Sequence, residues 1–138
     1  DDFTQNGYTK EEMKLVNETH KILGDYSIGI SSTAVRIPVI GGHSESINIS
    51  LENRTNVKEI KEVLKNSFGI VVEDDIVNNV YPMPLNCEGS DEVYVGRIRK
   101  DLYEENTFNL WVVSDNLRKG AATNTIQIAQ HLINNSIL

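Results

Sequence analysis

The sequence predicts an α+β fold in which a mostly antiparallel, mixed sheet is covered by helices. Three observations carry this reading. Short β-branched or alternating segments are joined by hairpin-length connections, amphipathic helical stretches with recognisable caps stand between them, and no strand runs into a glycine-rich phosphate turn of the G-x-G-x-x-G or Walker kind. The order of elements is helix, two strands, helix, strand, two strands, helix, with no internal repeat or low-complexity tract.

Thr9 followed by Glu12 has the capping-box spacing, so a helix starts there. Leu15, Thr19, Ile22 and Leu23 keep one helical face, with Met13 and Val16 beside them, and Gly24 ends the helix in a left-handed turn. Ile28 to Ile40 is rich in β-branched residues and reads as a strand, but Pro38 makes its far end irregular or places it at a sheet edge. Gly41-Gly42 permits a sharp reversal. Ile47, Ile49 and Leu51 then alternate with Asn48 and Ser50, the period of a half-buried strand. Asn56 with Glu59 repeats the capping signal ahead of Val57, Ile60, Val63 and Leu64, an amphipathic helix that stops at Gly69. A short buried strand, Ile70 to Glu73, follows. Pro82 and Pro84 mark an irregular connection, because each lacks a ladder donor and restricts its predecessor. Val93, Val95 and Arg97 alternate with Tyr94, Gly96 and Ile98 as a strand, Asn109 to Ser114 forms another, and Arg118 to Ile133 closes the chain as a helix striped by Ala122, Ile126, Ala129 and Ile133.

A length of 138 residues is one ordinary domain's worth of chain, and 39% hydrophobic with 24% charged residues is a globular composition. Thirteen Lys and Arg stand against 20 Asp and Glu, a formal charge of −7, which disfavours a nucleic-acid partner. The apolar runs, such as Ile70 to Val72 and Leu110 to Val113, fall far short of the ~20 residues needed to cross a bilayer. The single cysteine, Cys87, can form no internal disulfide and suits a reducing compartment, so a cytoplasmic location is expected. The chain opens at Asp1 and runs almost at once into a strong helix, as a piece cut from a larger protein would.

The residues with chemistry to offer are few. Arg36 and His43 flank the Gly41-Gly42 turn. A guanidinium grips a carboxylate through two parallel hydrogen bonds, and an imidazole titrating near neutrality passes protons, so the two suit a small anionic substrate. They would equally be a strand arginine paired with one of many acids and a solvent-exposed loop histidine; residue type and spacing leave both open. Glu11 and Lys14, at i and i+3, share a helix face and form either a solvated surface pair or contacts for an ammonium and an anion. Arg97 and Arg99 point to the same side of a regular strand and, with Lys100, offer either an anion site or sheet-face salt bridges. Cys87, beside Glu88, reads as structural, since a neighbouring carboxylate disfavours the thiolate. His20 and His131 lie in helices without ligand partners at metal spacing, so no metal is expected.

Four sets of residues also resemble the C-terminal catalytic and dimerisation domain of the aspartate-semialdehyde dehydrogenase family. They are Glu11-Glu12-Met13-Lys14 with Asn17-Glu18-Thr19; Val35-Arg36-Ile37-Pro38-Val39 with His43-Ser44-Glu45-Ser46; Val95-Gly96-Arg97-Ile98-Arg99; and Trp111 to Ala122, Trp-Val-Val-Ser-Asp-Asn-Leu-Arg-Lys-Gly-Ala-Ala. Together they span nearly the whole chain and keep the family's order.

The resemblance implies a glyceraldehyde-3-phosphate dehydrogenase-like C-terminal domain over residues 1–138, with substrate-binding and dimerisation roles and without its N-terminal NADP-binding domain. It implies an enzyme that interconverts 4-phospho-aspartate and aspartate 4-semialdehyde with NADP(H) and phosphate, early in lysine, threonine and methionine synthesis, and that works as a homodimer. By that likeness Arg36 binds the substrate carboxylate, His43 is the acid/base of the thiohemiacetal step, Glu11 contacts the substrate amino group, Lys14 contacts phosphate, and Asn116 approaches the nicotinamide side of the cofactor. The dinucleotide fold, the nucleophilic cysteine and a substrate-fixing glutamine belong to the other half, so this chain alone is expected to be inactive. In the family the last helix lies partly against the nucleotide domain, which implies an exposed Ile126, Ala129 and Ile133 stripe here. A catalytically silent relative, or a free-standing interaction module on the same fold, is the alternative.

Overall fold

Thr9 opens the first helix as its spacing predicts. In the computed structural model, which describes residues 2–137, α1 covers Lys10–Leu23. The Thr9 hydroxyl accepts the Glu12 N–H at 3.1 Å, and the Glu12 carboxylate accepts the Thr9 N–H at 2.7 Å. Gly24, at φ 67°, closes the helix by donating its N–H to the His20 carbonyl. The chain divides into two units, Asp1–Pro38 and Val39–Leu138, and α1 belongs to the first.

The predicted strand over Ile28 to Ile40 does not form. Its polar groups are bonded to the helix instead of to a ladder: the Ala34 N–H donates to the second Glu12 carboxylate oxygen at 2.8 Å, the Ser32 side-chain hydroxyl to the Glu12 carbonyl, and the Ile28 carbonyl pairs with His20 Nε2 at 2.7 Å. β-Branched residues favour extended backbone, but a strand also needs a partner, and α1 answers those groups first. The apolar stripe of α1 is also uncovered: Leu15, Ile22 and Leu23 are 44, 80 and 61% exposed, and Glu12 is the helix's buried residue.

The second unit is built on four strands. β1 (His43–Ser50), β4 (Thr107–Ser114), β3 (Val93–Lys100) and β2 (Ile70–Val72) lie side by side in the order β1-β4-β3-β2, with β2 parallel to β3 and the other pairs antiparallel. That is the mixed, mostly antiparallel sheet expected. Val95, Ile98, Phe108 and Val113 are buried on it, with Cys87 and Pro82. The alternation in β1 sets Ile47 and Ile49 opposite Leu110 and Phe108, and Asn48 and Ser50 opposite Asn109 and Thr107. On the polar side, Asn48 and Asn109 both donate to Asp101, and the Ser50 and Thr107 hydroxyls meet at 2.8 Å. Asn56 caps α2 (Val57–Lys65) through the Glu59 N–H; the helix ends at Asn66, short of the predicted Gly69.

Two further differences have identifiable causes. The Pro82–Pro84 connection contains a helical turn, α3 (Pro84–Cys87), because a proline at the first helical position lacks only an N–H that would be unbonded there anyway. In β3 the register slips between Gly96 and Arg99, and Arg97 adopts φ 53°. The slip breaks the alternation that would put Arg97 and Arg99 on one face. Asp74 holds it, accepting the Arg97 and Ile98 amides at 2.9 and 3.1 Å and pairing with Lys61 at 2.7 Å. The last helix starts with a π-helical turn, Arg118–Ala122, before α4 (Thr123–Asn134). Ile126 and Ile133 on its stripe are 59 and 64% exposed.

Candidate functional site

His43 and Asn116 both lie at one end of the sheet. β1 begins with His43, β4 ends with Ser114, and these two residues are register partners. Gly42 stands immediately before the strand at φ 84°, where a side chain is strained, and a Cβ there would sit 3.3 Å from the Ser114 carbonyl oxygen. Its N–H donates to the Asn116 Oδ1 at 2.9 Å. Two segments 74 residues apart are thereby tied next to His43. The His43 side chain is exposed and makes no hydrogen bond among the described residues; nor does the Asn116 Nδ2.

Asp115 organises the turn that carries Asn116. One carboxylate oxygen accepts the Leu117 and Arg118 N–H groups, each at 2.9 Å, and the other accepts the Gly89 N–H at 2.9 Å. These bonds, the Arg118 amide foremost, hold its carboxyl below the usual carboxylate range. The chain then enters the π-helical turn, a geometry frequent at functional sites. Arg118 grips Asp91 with two nitrogens at 2.7 and 3.0 Å, and the Thr123 hydroxyl donates to the same carboxylate at 2.7 Å. The Arg118 fork and then Thr123 lower Asp91 to about 2. Lys119 donates to the Gln127 side-chain oxygen at 2.6 Å.

The other three candidates lie in the first unit. Glu11 and Lys14 are on α1, and Arg36 follows the segment fastened by Glu12. All three are exposed, and none takes part in an ion pair among the described residues. Glu11 and Lys14 therefore do not bridge one another, and Arg36 is not a strand arginine matched to a nearby acid. Their charges face solvent.

The remaining candidates have structural places. Arg97 lies over the Tyr81 ring, 5.8 Å from its centroid, and Arg99 donates to the Arg97 carbonyl, so neither forms the sheet-face salt bridge. Cys87 is buried, and burial first and the Glu73 carboxylate second push its thiol up, which makes it a poor nucleophile. The carboxylate responsible is Glu73, not the adjacent Glu88. His20 is bonded to Ile28, and His131 is exposed on α4. Among the described residues no three metal-ligating side chains cluster, and no helix is long and apolar enough to cross a membrane. An open hollow lined by Arg54, Lys58, Lys100 and Asn106 includes Lys100 of the candidates but not Arg97, Arg99 or any of Glu11, Lys14, Arg36, His43 and Asn116. Sequence reasoning missed Asp115, Asp91 and Asp74. The signal for Asp115 was present, an aspartate two and three residues before amides at a helix entry, whereas the Asp74 and Asp91 bonds span 23 or more residues and leave no local trace.

Comparison with known proteins adds a family. Residues 1–119 match the model described as semialdehyde dehydrogenase, dimerisation domain. The aspartate-semialdehyde dehydrogenase of Aquifex aeolicus is 53% identical over 138 residues, which is 100% of this chain and 41% of that protein. Among solved structures, aspartate semialdehyde dehydrogenase II of Vibrio cholerae complexed with ASA superposes with a TM-score of 0.91 at 42% identity, covering 97% of this chain and 39% of that one. The Candida albicans enzyme, solved with NADP, superposes with a TM-score of 0.70 at 31% identity over 93% of this chain and 43% of its own. The chain spans about two fifths of the length of the curated relatives it matches. The fold is the one expected from the motifs, glyceraldehyde-3-phosphate dehydrogenase-like and shared with the corresponding parts of these enzymes. Matched over most of its length by the model and over all of it by a relative at 53% identity, the chain belongs to the semialdehyde dehydrogenase dimerisation-domain family.

Proposed function

We propose that this chain is the substrate-binding and dimerisation part of an NADP-dependent aspartate-semialdehyde dehydrogenase, which reduces 4-phospho-L-aspartate to L-aspartate 4-semialdehyde with release of phosphate, in the synthesis of lysine, threonine and methionine. The complete enzyme is a cytoplasmic homodimer, and another part of it supplies the nucleotide domain and the nucleophilic cysteine. The observation that carries this reading is the Gly42 to Asn116 hydrogen bond, which sets an unengaged imidazole beside an unengaged amide donor at the end of the sheet, in a chain similar to these enzymes throughout.

The roles follow from what each group has left to offer. His43 has both ring nitrogens available, so it protonates the oxygen of the adduct between substrate and cysteine and takes that proton back in the reverse sense. Arg36, exposed and without an ion-pair partner, holds the substrate carboxylate through its two-pronged fork. Glu11 takes the substrate ammonium and Lys14 the phosphate, as a point charge on a flexible stem. With its Oδ1 engaged by Gly42, Asn116 keeps both Nδ2–H donors to offer, which fits the carbonyl of a nicotinamide carboxamide. NADP, when bound, supplies or accepts the hydride. Cys87, buried and with a raised thiol, is unsuited to the nucleophile's part, so the isolated chain is inactive.

The test is His43→Ala in the complete enzyme, assayed with aspartate semialdehyde, NADP and phosphate. The expected result is a kcat lower by roughly 10²–10⁴-fold, the usual contribution of a positioned acid/base. A variant turning over at the unmodified rate would refute the role.

A further inference from the structure

We infer that Asn116 is a positioning residue for His43, acting through its side-chain oxygen on the Gly42 N–H. The inference rests on the acid/base role proposed for His43 and adds a task to Asn116 that a cofactor contact does not require. Gly42 is held at φ 84°, a left-handed conformation that an unattached glycine leaves readily, and it is the last residue before the ladder of β1 begins. The first ladder position is His43 itself, so whatever fixes Gly42 fixes the direction from which the imidazole projects. Asn116 supplies that restraint at 2.9 Å. Asn116 does not wander either, because Asp115 anchors its turn to three amides on two segments, those of Leu117 and Arg118 ahead of it and that of Gly89 across from it. The sequence of restraints is Asp115 to the turn, Asn116 to Gly42, and Gly42 to His43. The oxygen of the Asn116 carboxamide is thereby used on Gly42, and its nitrogen is left for the proposed cofactor contact.

This division of labour is separable, because aspartate keeps the acceptor and loses the donor, whereas alanine loses both. In the complete enzyme at saturating NADP, Asn116→Ala is expected to lower kcat by about 10–100-fold, the order of loss from misplacing a reacting group by an ångström. Asn116→Asp, which keeps the acceptor for Gly42 but sets a carboxylate in place of the cofactor-facing donor, is expected to keep several-fold more of kcat than Asn116→Ala while raising KM for NADP. Amide hydrogen exchange gives a readout independent of turnover: the Gly42 N–H exchanges slowly in the unmodified protein and in Asn116→Asp, and fast in Asn116→Ala. The inference is overturned if Asn116→Ala keeps its kcat, if the alanine and aspartate variants lose kcat equally, or if Gly42 exchanges at the same rate in all three. His43→Ala run alongside separates this from the reading it rests on. If that variant is as fast as the unmodified enzyme, the acid/base role falls and this inference with it; if it is slow and the Asn116 variants behave alike, only the positioning role falls.

Discussion

Asp74 and Asp115 each turn a carboxylate onto two consecutive backbone amides, those of Arg97 and Ile98 in one case and of Leu117 and Arg118 in the other, yet the two surroundings differ in what they leave over. The Asp74 side chain is 3% exposed and carries its own cation, Lys61, at 2.7 Å. Arg97 beside it lies over Tyr81. Around Asp74 the polar and charged groups are used up in holding a β-bulge. Around Asp115 the frame is just as tightly bonded, but it ends in an imidazole and an amide nitrogen that nothing in the described chain engages. A network that satisfies itself completely stiffens a fold; a rigid frame that leaves polar groups pointing outward has something to bind.

The comparison is broken most forcefully at the buried end. Asp74→Ala leaves the Lys61 ammonium and two amides without their acceptor, and we expect a loss of about 3–5 kcal/mol by chemical denaturation, the range for removing one partner of a buried pair. Replacing both charges, Asp74→Leu with Lys61→Met, removes the stranded cation but still orphans the Arg97 and Ile98 amides. It recovers part of the loss, and full recovery would mean that Asp74 matters as a counter-charge alone. Gly96, at the bulge, comes next. A Cβ there would land on the Glu73 carbonyl oxygen and the Pro82 ring, backbone and a locked side chain that cannot swing aside, so Gly96→Ala costs about 1–3 kcal/mol. An unfolding midpoint equal to that of the unmodified chain would show that the 73–82 segment yields.

These two regions also mark where the sequence was informative. The helices begin where Thr9 and Asn56 stand and four of the five predicted strands form the sheet, because caps and alternation are properties of neighbouring residues. The strand over Ile28 to Ile40 failed because its propensity was right for extended backbone while its hydrogen-bond partner, Glu12, lay 22 residues away on a helix. The bulge at Arg97 was invisible for the same reason: its cause, Asp74, sits 23 residues upstream. Residue types and motifs nominated Glu11, Lys14, Arg36, His43 and Asn116 as candidates, but the tie between Gly42 and Asn116 is a distance, and distances across 74 residues are not written in a linear pattern.

Glu12 is a third carboxylate clamp and sharpens the contrast inside the first unit. One oxygen accepts the Thr9 amide and the other the Ala34 amide, two residues before Arg36. Those two bonds, Thr9 first, hold its carboxyl below the usual range. Glu12→Ala is therefore expected to speed amide exchange at Ala34 and in the residues leading to Arg36 far more than within the body of α1. Equal acceleration along the helix would make Glu12 a cap and nothing else.

The smallest effect belongs to Asp91, whose partner Arg118 is half exposed. The Arg118 fork and then Thr123 bring its carboxyl from 3.8 to about 2, so the folded chain binds its proton more weakly than the unfolded one. The stability that this supplies is complete above about pH 4, diminishes as pH falls from there, and is gone below about pH 2. Asp101 titrates over the same window, also lowered to about 2, but chiefly by the Tyr103 and Glu104 amides. Asp91→Asn should thus flatten only part of the acid limb of a stability-against-pH curve. Salt discriminates the two: raising it from 0.05 to ~1 M shortens the screening length to about 3 Å and weakens the Arg118 contribution, while the amide bonds to Asp101 persist. If the difference between the unmodified chain and Asp91→Asn is as large at high salt as at low, the neutral bond from Thr123 rather than the charge of Arg118 holds that corner, and the frame around the π-helical turn is hydrogen-bonded throughout.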